Sequence, residues 1–278
     1  MRFLYAVILS CLSLQSFSQN RVENQQFLNS IYESIRSKAD IAIIGMSGGA
    51  DSTLVATLCQ QALGKENVIS LHMPYGETDY RFFNSRSVKT ADFLNIQKHV
   101  ISIQKSVDQL EESLKIIGNL DQINHGNLRA RVRTNLLYAT GHHIGSETQK
   151  RVRVMGTGNM SEDYIGYDTK GGDALADYFP IGELFKSEVY DLLDHFVRIG
   201  VLQDSMIDRT PSAGLWEGQT DESELGWTYN QMEPVIRRHL LGHFQDTELD
   251  HFVKKRHQQN KHKHEAPEVF PARKWLGT

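Results

Sequence analysis

A short apolar run, Ile-Ala-Ile-Ile-Gly-Met at 41–46, passes directly into Ser47-Gly48-Gly49-Ala50-Asp51-Ser52 and then into a stretch of helical character at 53–63. A run of that length reads as a buried strand, so strand, tight loop and helix are predicted in immediate succession. Glycines let a backbone approach a phosphate with no Cβ in the way, and free N–H groups at a helix start favour an anion. Ser47 and Ser52 add hydroxyl donors. Asp51 brings a negative charge that makes sense beside phosphates only if a cation intervenes; Mg2+ takes one or two carboxylates together with phosphate oxygens and is the natural candidate. The lysine of a Walker A loop is missing, which excludes a kinase-type P-loop. A bare Ser-Gly-Gly also suits a plain strand-to-helix turn. The full hexapeptide between strand and helix favours phosphate.

The alternation continues along the chain. Residues 22–38 read as an amphipathic helix through Val22, Phe27, Ile31 and Ile35, and further strands are predicted at 68–73, 100–103 and 151–155. Helices are predicted at 81–94, 106–117, 127–143 and 186–199, with a glycine-rich loop at 165–174 and a turn-rich stretch to about residue 229. This order predicts an α/β fold, a doubly wound parallel sheet with flanking helices. Ligands in such sheets sit beyond the carboxyl ends of the strands, at a switch point. The loops 47–52 and 156–159 both follow strands, so a nucleotide would be held there.

The chain has 278 residues, 40% of them hydrophobic, enough for one sizeable core, and residues 20–278 read as a single domain. A net charge of −4 argues against a general nucleic-acid binder. Cys11 and Cys59 have no paired spacing, so neither a disulfide framework nor a cysteine zinc site is expected, and Cys59 reads as core. Residues 1–19 differ from the rest. Arg2 precedes an apolar run at 3–14, and Ser16 and Ser18 stand at the spacing of a signal-peptidase site. A secretory signal peptide, an apolar extension that packs as a helix and a start codon placed too far upstream all fit. The run is too short for stable membrane insertion.

The hexapeptide resembles the pyrophosphate-binding loop of the ATP pyrophosphatases, the PP-loop enzymes that adenylate a substrate and release pyrophosphate. The later blocks narrow the resemblance. Gly126-Asn127-Leu128-Arg129-Ala130-Arg131-Val132-Arg133, Met155-Gly156-Thr157-Gly158-Asn159-Met160-Ser161-Glu162, Gly166-Tyr167-Asp168-Thr169-Lys170-Gly171-Gly172-Asp173 and Pro211-Ser212-Ala213-Gly214-Leu215-Trp216 follow in that order. Together they resemble the ammonia-dependent NAD synthetases over about residues 22–267. The fold so implied is adenine nucleotide alpha hydrolase-like.

That resemblance implies ATP-dependent amidation of nicotinic acid adenine dinucleotide (deamido-NAD) with ammonia, through an adenylate, to give NAD, AMP and pyrophosphate. It implies an ATP site at Gly45, Met46, Ser47, Gly48, Gly49, Ala50, Asp51 and Ser52, with Thr157, Lys186 and Ser212. Mg2+ would lie on Asp51 and Glu162; Asp51 and Lys186 would be catalytic; Arg131, Lys170, Asp177, His262 and Lys263 would hold deamido-NAD. Asp173 or Asp177 is a candidate for deprotonating ammonium. A homodimer is implied, with the 22–38 helix near the partner's site, and ATP dependence favours the cytoplasm, with export left open by the N-terminus. Glutamine users carry an added amidohydrolase domain, for which the short segment before the first helix leaves no room, so free ammonia is the expected donor. Rival readings are another ATP pyrophosphatase-type ligase and a non-catalytic nucleotide-binding homologue.

Read without the resemblance, several of these residues are ordinary. Glu162 would be a solvated loop carboxylate and Lys186 a helix-start lysine on a wet face. Arg129, Arg131 and Arg133 point different ways on one helix, and Arg129 and Arg133 read as surface charges, either able to reach a phosphate. The basic run 254–264 reads as disordered, and its histidines lack the carboxylate or cysteine company of a zinc site. The family continues with arginine after His262-Lys263, whereas this chain has His264-Glu265, which lowers the positive charge there.

Overall fold

The first strand is buried on both faces because its side chains alternate between two cores. The computed structural model describes residues 25–76, 86–208, 210–211 and 220–276, so the apolar 1–19 segment, Val22 and Ser212 lie outside the described residues. In β1 (Ile41–Gly45), Ala42 and Ile44 pack against α1 (Gln25–Lys38), α2 (Ala50–Leu63) and α7 (Lys186–Arg198). Ile41 and Ile43 face the opposite way, toward Val107 of α4 (Gln104–Leu114) and Val132 of α5 (Gln122–Thr148). Leu28, Ile31 and Ile35 form the buried stripe of α1.

Four parallel strands stand in the order β3-β2-β1-β4. β2 (Val68–His72) pairs with β1 on one side and β4 (Val152–Met155) pairs with it on the other. The chain therefore builds outward from β1 through β2 to β3 (Gln97–Val100) and then returns to the far side of β1. The connection leaving β1 runs through α2 on one face and the one entering β4 runs through α4 and α5 on the other, so the change of direction in the strand order opens a crevice at the carboxyl ends of these two strands. This is the doubly wound arrangement expected from the alternation.

Several boundaries differ from expectation. β3 begins three residues before the predicted 100–103, its register set by the parallel pairing of Ile69 with Gln97 through His72 with Val100. It is a polar edge strand with Gln97, His99 and Val100 exposed, so the apolar signal belongs instead to the segment that buries Ile103 ahead of α4. In place of the predicted 81–94 helix the structure has α3 (Ser87–Phe93), residues 81–85 lying outside the described residues. α5 runs longer than expected at both ends, started by the Asp121 side chain accepting from the Asn124 N–H.

A third cluster closes the carboxyl side. α6 (Met160–Ile165), α8 (Asp221–Leu225), α9 (Tyr229–Leu240) and α10 (Glu248–Asn260) bury Ile165, Leu225, Met232, Ile236 and Val253 together with Phe185. The run 254–264, read as disordered, is the second half of α10 and the turn after it; packing of Val253 and Phe252 orders it despite its charge. A last short helix, α11 (Ala272–Leu276), follows. Among the described residues no helix is long and apolar enough to cross a membrane.

Asp250, fully buried at the start of α10, ties this layer together. Its carboxylate accepts from Arg238 at 2.9 Å, His239 at 3.0 Å, the Gln245 N–H at 3.2 Å and the Thr247 hydroxyl. Burial alone would raise its pKa, but these bonds hold it at about 2. Asp250→Ala strands buried donors and is expected to cost about 3 kcal/mol of stability at neutral pH, read from urea unfolding with an unchanged m value. Because the folded pKa is depressed, this contribution is complete above the unfolded carboxyl's pKa of ~3.9 and disappears as pH falls through the folded value. The stability gap between wild type and variant should narrow only in strong acid.

Candidate active site

The end of β1 and the start of α2 form the floor of the crevice. Ser47 accepts from the Gly49 N–H at 3.1 Å and bonds the Ser52 hydroxyl at 3.0 Å, closing the loop on itself. Gly48 has φ +87°, and a Cβ there would lie 3.1 Å from the Ser87 backbone nitrogen, so a side chain meets both strain and contact. Gly49 caps α2 without a side-chain bond to its first N–H groups. The loop and the start of α2 border a cavity of about 550 Å3 lined by Gly45, Met46, Ser47, Asp51, Ser52, Thr157, Glu162 and Lys186, with Gly48, Gly49 and Ala50 outside the lining.

Three charged side chains converge at the cavity wall from separate elements. Asp51 comes from the first turn of α2, Glu162 from the first turn of α6, and Lys186 from the first residue of α7. The Lys186 ammonium donates to Asp51 at 2.5 Å and to Glu162 at 2.9 Å. Burial and the Asp51 charge push Glu162 up to about 8 against the opposing pull of Lys186. Burial pulls Lys186 down, but Asp51 and Glu162 outweigh it and hold the amine well above the usual lysine range. Two buried carboxylates against one ammonium leave the group short of positive charge. A hard divalent cation with oxygen ligands fits these residues.

Glu162 and Lys186 are thus neither a solvated loop carboxylate nor a lysine on a wet face. Asn159 is the residue the sequence reading passed over. It caps α6 by accepting from the Ser161 and Glu162 N–H groups, each at 3.1 Å, and its amide donates to Asp51 at 2.9 Å. One side chain therefore fixes both acids. An asparagine three residues before an acid at a predicted strand-to-helix junction is a readable cap signal.

The arginines divide differently from expectation. Arg129 is no surface charge: it is 5% exposed and stacks over the Tyr75 ring at 4.9 Å. Arg133 donates to the Met73 carbonyl and lines the cavity. Arg131 donates to the Lys170 carbonyl at 3.1 Å, and the Lys170 amine donates to the His262 carbonyl at 2.7 Å, so these three residues are linked at the exposed rim. Asp177 accepts from the Val154 N–H at 2.8 Å, a tie to the edge of β4 away from the cavity lining. Asp173, held by the Thr169 N–H at 2.8 Å, does line it. Cys59 is buried in α2, and burial pushes its thiol far up, consistent with core packing.

The tail docks on the 166–173 loop. Lys263 donates to the carbonyls of Gly166 and Asp168, at 2.7 and 2.6 Å, and lines the cavity. Gly166 permits this approach, since a Cβ on it would lie 2.0 Å from that of Asn260. Against expectation His264 has carboxylate company: it pairs with Asp168, with Asp163 close by.

The fold and the converging groups define a class, a parallel α/β protein with a phosphate-type loop and paired acids at the switch point of its sheet. The chain belongs to the NAD synthase family, whose sequence profile matches residues 22–267. It is 38% identical over 255 residues to an NH(3)-dependent NAD(+) synthetase of Methanosarcina acetivorans, covering 87% of this chain and 96% of the relative. Among solved structures it is similar to an NMN synthetase from Francisella tularensis, with TM-score 0.72 and 30% identity over 92% of this chain and 99% of the other. It is also similar to an NH3-dependent NAD synthetase from Campylobacter jejuni in complex with nitrate, with TM-score 0.65 and 28% identity over 91% and 99% of the two chains.

The His264–Asp168 pair carries a pH signature. The bond to Asp168 raises the imidazole above its ordinary value. A raised group stabilises the docked tail fully below its free pKa of ~6.5, and the contribution fades as pH rises through the folded value. His264→Ala is expected to speed limited proteolysis of the tail in mildly acidic buffer, with the difference from wild type shrinking toward alkaline pH.

Proposed function

We propose that this chain is a carbon–nitrogen ligase that amidates deamido-NAD with ammonia, consuming ATP and releasing NAD, AMP and pyrophosphate. The observation that carries the reading is the meeting of Asp51, Glu162 and Lys186 beneath the 47–52 loop, in a chain of the NAD synthase family. That membership disfavours the two rivals, another ATP pyrophosphatase-type ligase and a non-catalytic homologue.

A carboxylate is a poor electrophile because its leaving group would be oxide. In the first step a nicotinate oxygen attacks the α-phosphorus of ATP and pyrophosphate departs. In the second, ammonia attacks the acyl carbon and AMP leaves with the bonding pair. The loop N–H groups and the Ser47 and Ser52 hydroxyls hold the phosphates, with Thr157 on the facing wall. Lys186 shifts from the two acids toward the departing pyrophosphate and offsets its growing charge. When bound on Asp51 and Glu162, Mg2+ would screen the triphosphate and polarise its phosphorus. Of Asp173 and Asp177, the lining of the cavity by Asp173 supports that residue as the one that takes a proton from ammonium.

The dinucleotide extends past the cavity onto the rim of Arg131, Lys170 and His262, with Lys263 at the boundary. A homodimer would cover that rim. α1 reaches the chain beside β4, its Ser34 hydroxyl bonded at 2.7 Å to that of Tyr178, next to Asp177. Dependence on ATP and deamido-NAD favours the cytoplasm as the site of the reaction. The likeness to an NMN synthetase favours a second reading in which the mononucleotide is the acceptor.

Purified protein with magnesium-ATP and ammonium is to be given deamido-NAD or nicotinic acid mononucleotide, with product read by chromatography. NAD from the dinucleotide is the expected outcome. Preference for the mononucleotide would establish the second reading, and no amidation of either by folded protein would end both. Asp51→Asn and Lys186→Ala should each lower turnover by at least ~100-fold with the far-ultraviolet dichroism unchanged. Near-normal rates in either would remove that residue from the catalytic set.

A further inference from the structure

Glu233 plays no part in the chemistry described so far, yet it lies 4% exposed in α9, directly behind the catalytic group. Its Oε1 accepts from the Ser161 hydroxyl at 2.9 Å and from the Ser187 N–H at 3.0 Å, while Oε2 accepts from the Ser187 hydroxyl. Ser161 also accepts from the Lys186 N–H at 3.0 Å. Both serines are immediate neighbours of working residues. Ser161 precedes Glu162 in the first turn of α6, and Ser187 follows Lys186 in the first turn of α7.

Backbone position at these two helix starts sets where the Glu162 carboxylate and the Lys186 amine can reach. These three donors to Glu233 are neutral, and a buried carboxylate with both oxygens bonded is a stiff junction, because breaking any one bond leaves a desolvated acceptor or donor unpaired. The α7 N–H group aimed at it also favours negative charge. Glu233 thus pins α6 to α7 from a third helix, at the two helix starts from which Glu162 and Lys186 converge.

We infer that Glu233, through Ser161 and Ser187, is a positioning residue that sets the separation of Glu162 and Lys186, and so tunes both metal affinity and the rate of adenylation. The inference rests on the proposed function for its kinetic readout alone. Arg237 supplies the control. It joins α9 to α7 alone, through Glu188 at 2.8 Å, and lies 3.8 Å over the Phe185 ring, with no bond to either serine.

The test compares Glu233→Ala, Glu233→Gln and Arg237→Ala below their melting temperatures, measuring turnover, KM for deamido-NAD, and Mn2+ affinity in the presence of ATP by paramagnetic resonance. Glu233→Ala is expected to lower kcat roughly 100-fold, as ångström-scale misplacement does. It should weaken Mn2+ by at least ~10-fold, as loss of an outer-shell partner does, with KM for the dinucleotide little changed. The isosteric Glu233→Gln should restore most of both, and Arg237→Ala should lower melting temperature without altering either. Should Glu233→Ala fail to fold, Ser161→Ala and Ser187→Ala take its place, each expected to cost about tenfold in kcat through one lost bond. Wild-type kcat and Mn2+ affinity in folded Glu233→Ala, or in both serine variants, would overturn the inference, as would equal losses in Arg237→Ala. If the wild type itself amidates nothing, the functional reading fails and the Mn2+ affinities alone decide this one.

Discussion

Two carboxylates from different helices share one buried ammonium, and the rest of the molecule is arranged around keeping them apart from water and close to each other. Taking such ions out of water costs on the order of several kcal/mol each. No local segment could hold Asp51, Glu162 and Lys186 together, since they come from α2, α6 and α7. What brings them within 3 Å of a common point is the sheet, because β1 and β4 are neighbours and each ends in a turn that starts a helix. Asn159 then bridges the two acids directly, and Glu233 braces the two later helices from behind.

This division explains what could be read from the residues in order. The 47–52 loop was legible because its information is local: strand, glycine, hydroxyl, acid and helix follow one another within a dozen positions. The parallel sheet was legible from the alternation for the same reason. β3 was misplaced because an exposed edge strand owes its existence to the neighbour it pairs with and not to its own apolar pattern. Arg129 was taken for a surface charge because spacing gives a helical direction but not what stands opposite, here the ring of Tyr75. The basic tail was read as loose because its anchoring is tertiary, through Val253 beneath it and Asp168 across from it. The family resemblance named Glu162 and Lys186, and geometry supplies the reason they belong together.

The tail and the rim change the reading of the dinucleotide residues. Lys263 spends its amine on the Gly166 and Asp168 carbonyls, while Lys170 spends its own on the His262 carbonyl. These bonds hold loop and tail together, and the phosphates of the proposed dinucleotide would compete with backbone carbonyls for the same amines. The His264 imidazole adds to this, since its pair with Asp168 holds the tail, while an imidazole offers an anion a weaker grip than a guanidinium does.

The same logic applies at the centre, where Lys186 occupies the space between two acids that a divalent cation also fits. Without it, the convergence of Asp51 and Glu162 would be repulsive, and the low-dielectric wall would force one of them to take a proton, as the raised Glu162 already shows. A tethered ammonium therefore keeps the two acids assembled in the arrangement that the proposed cation would require. In the proposed reaction the amine leaves the acids by a change of side-chain rotamer, on the first residue of a helix that stays in place. The requirement that follows is a fixed start to α7, since a rotamer switch is accurate only if its base is rigid. The buried carboxylate of Glu233 meets that requirement from outside the reacting group.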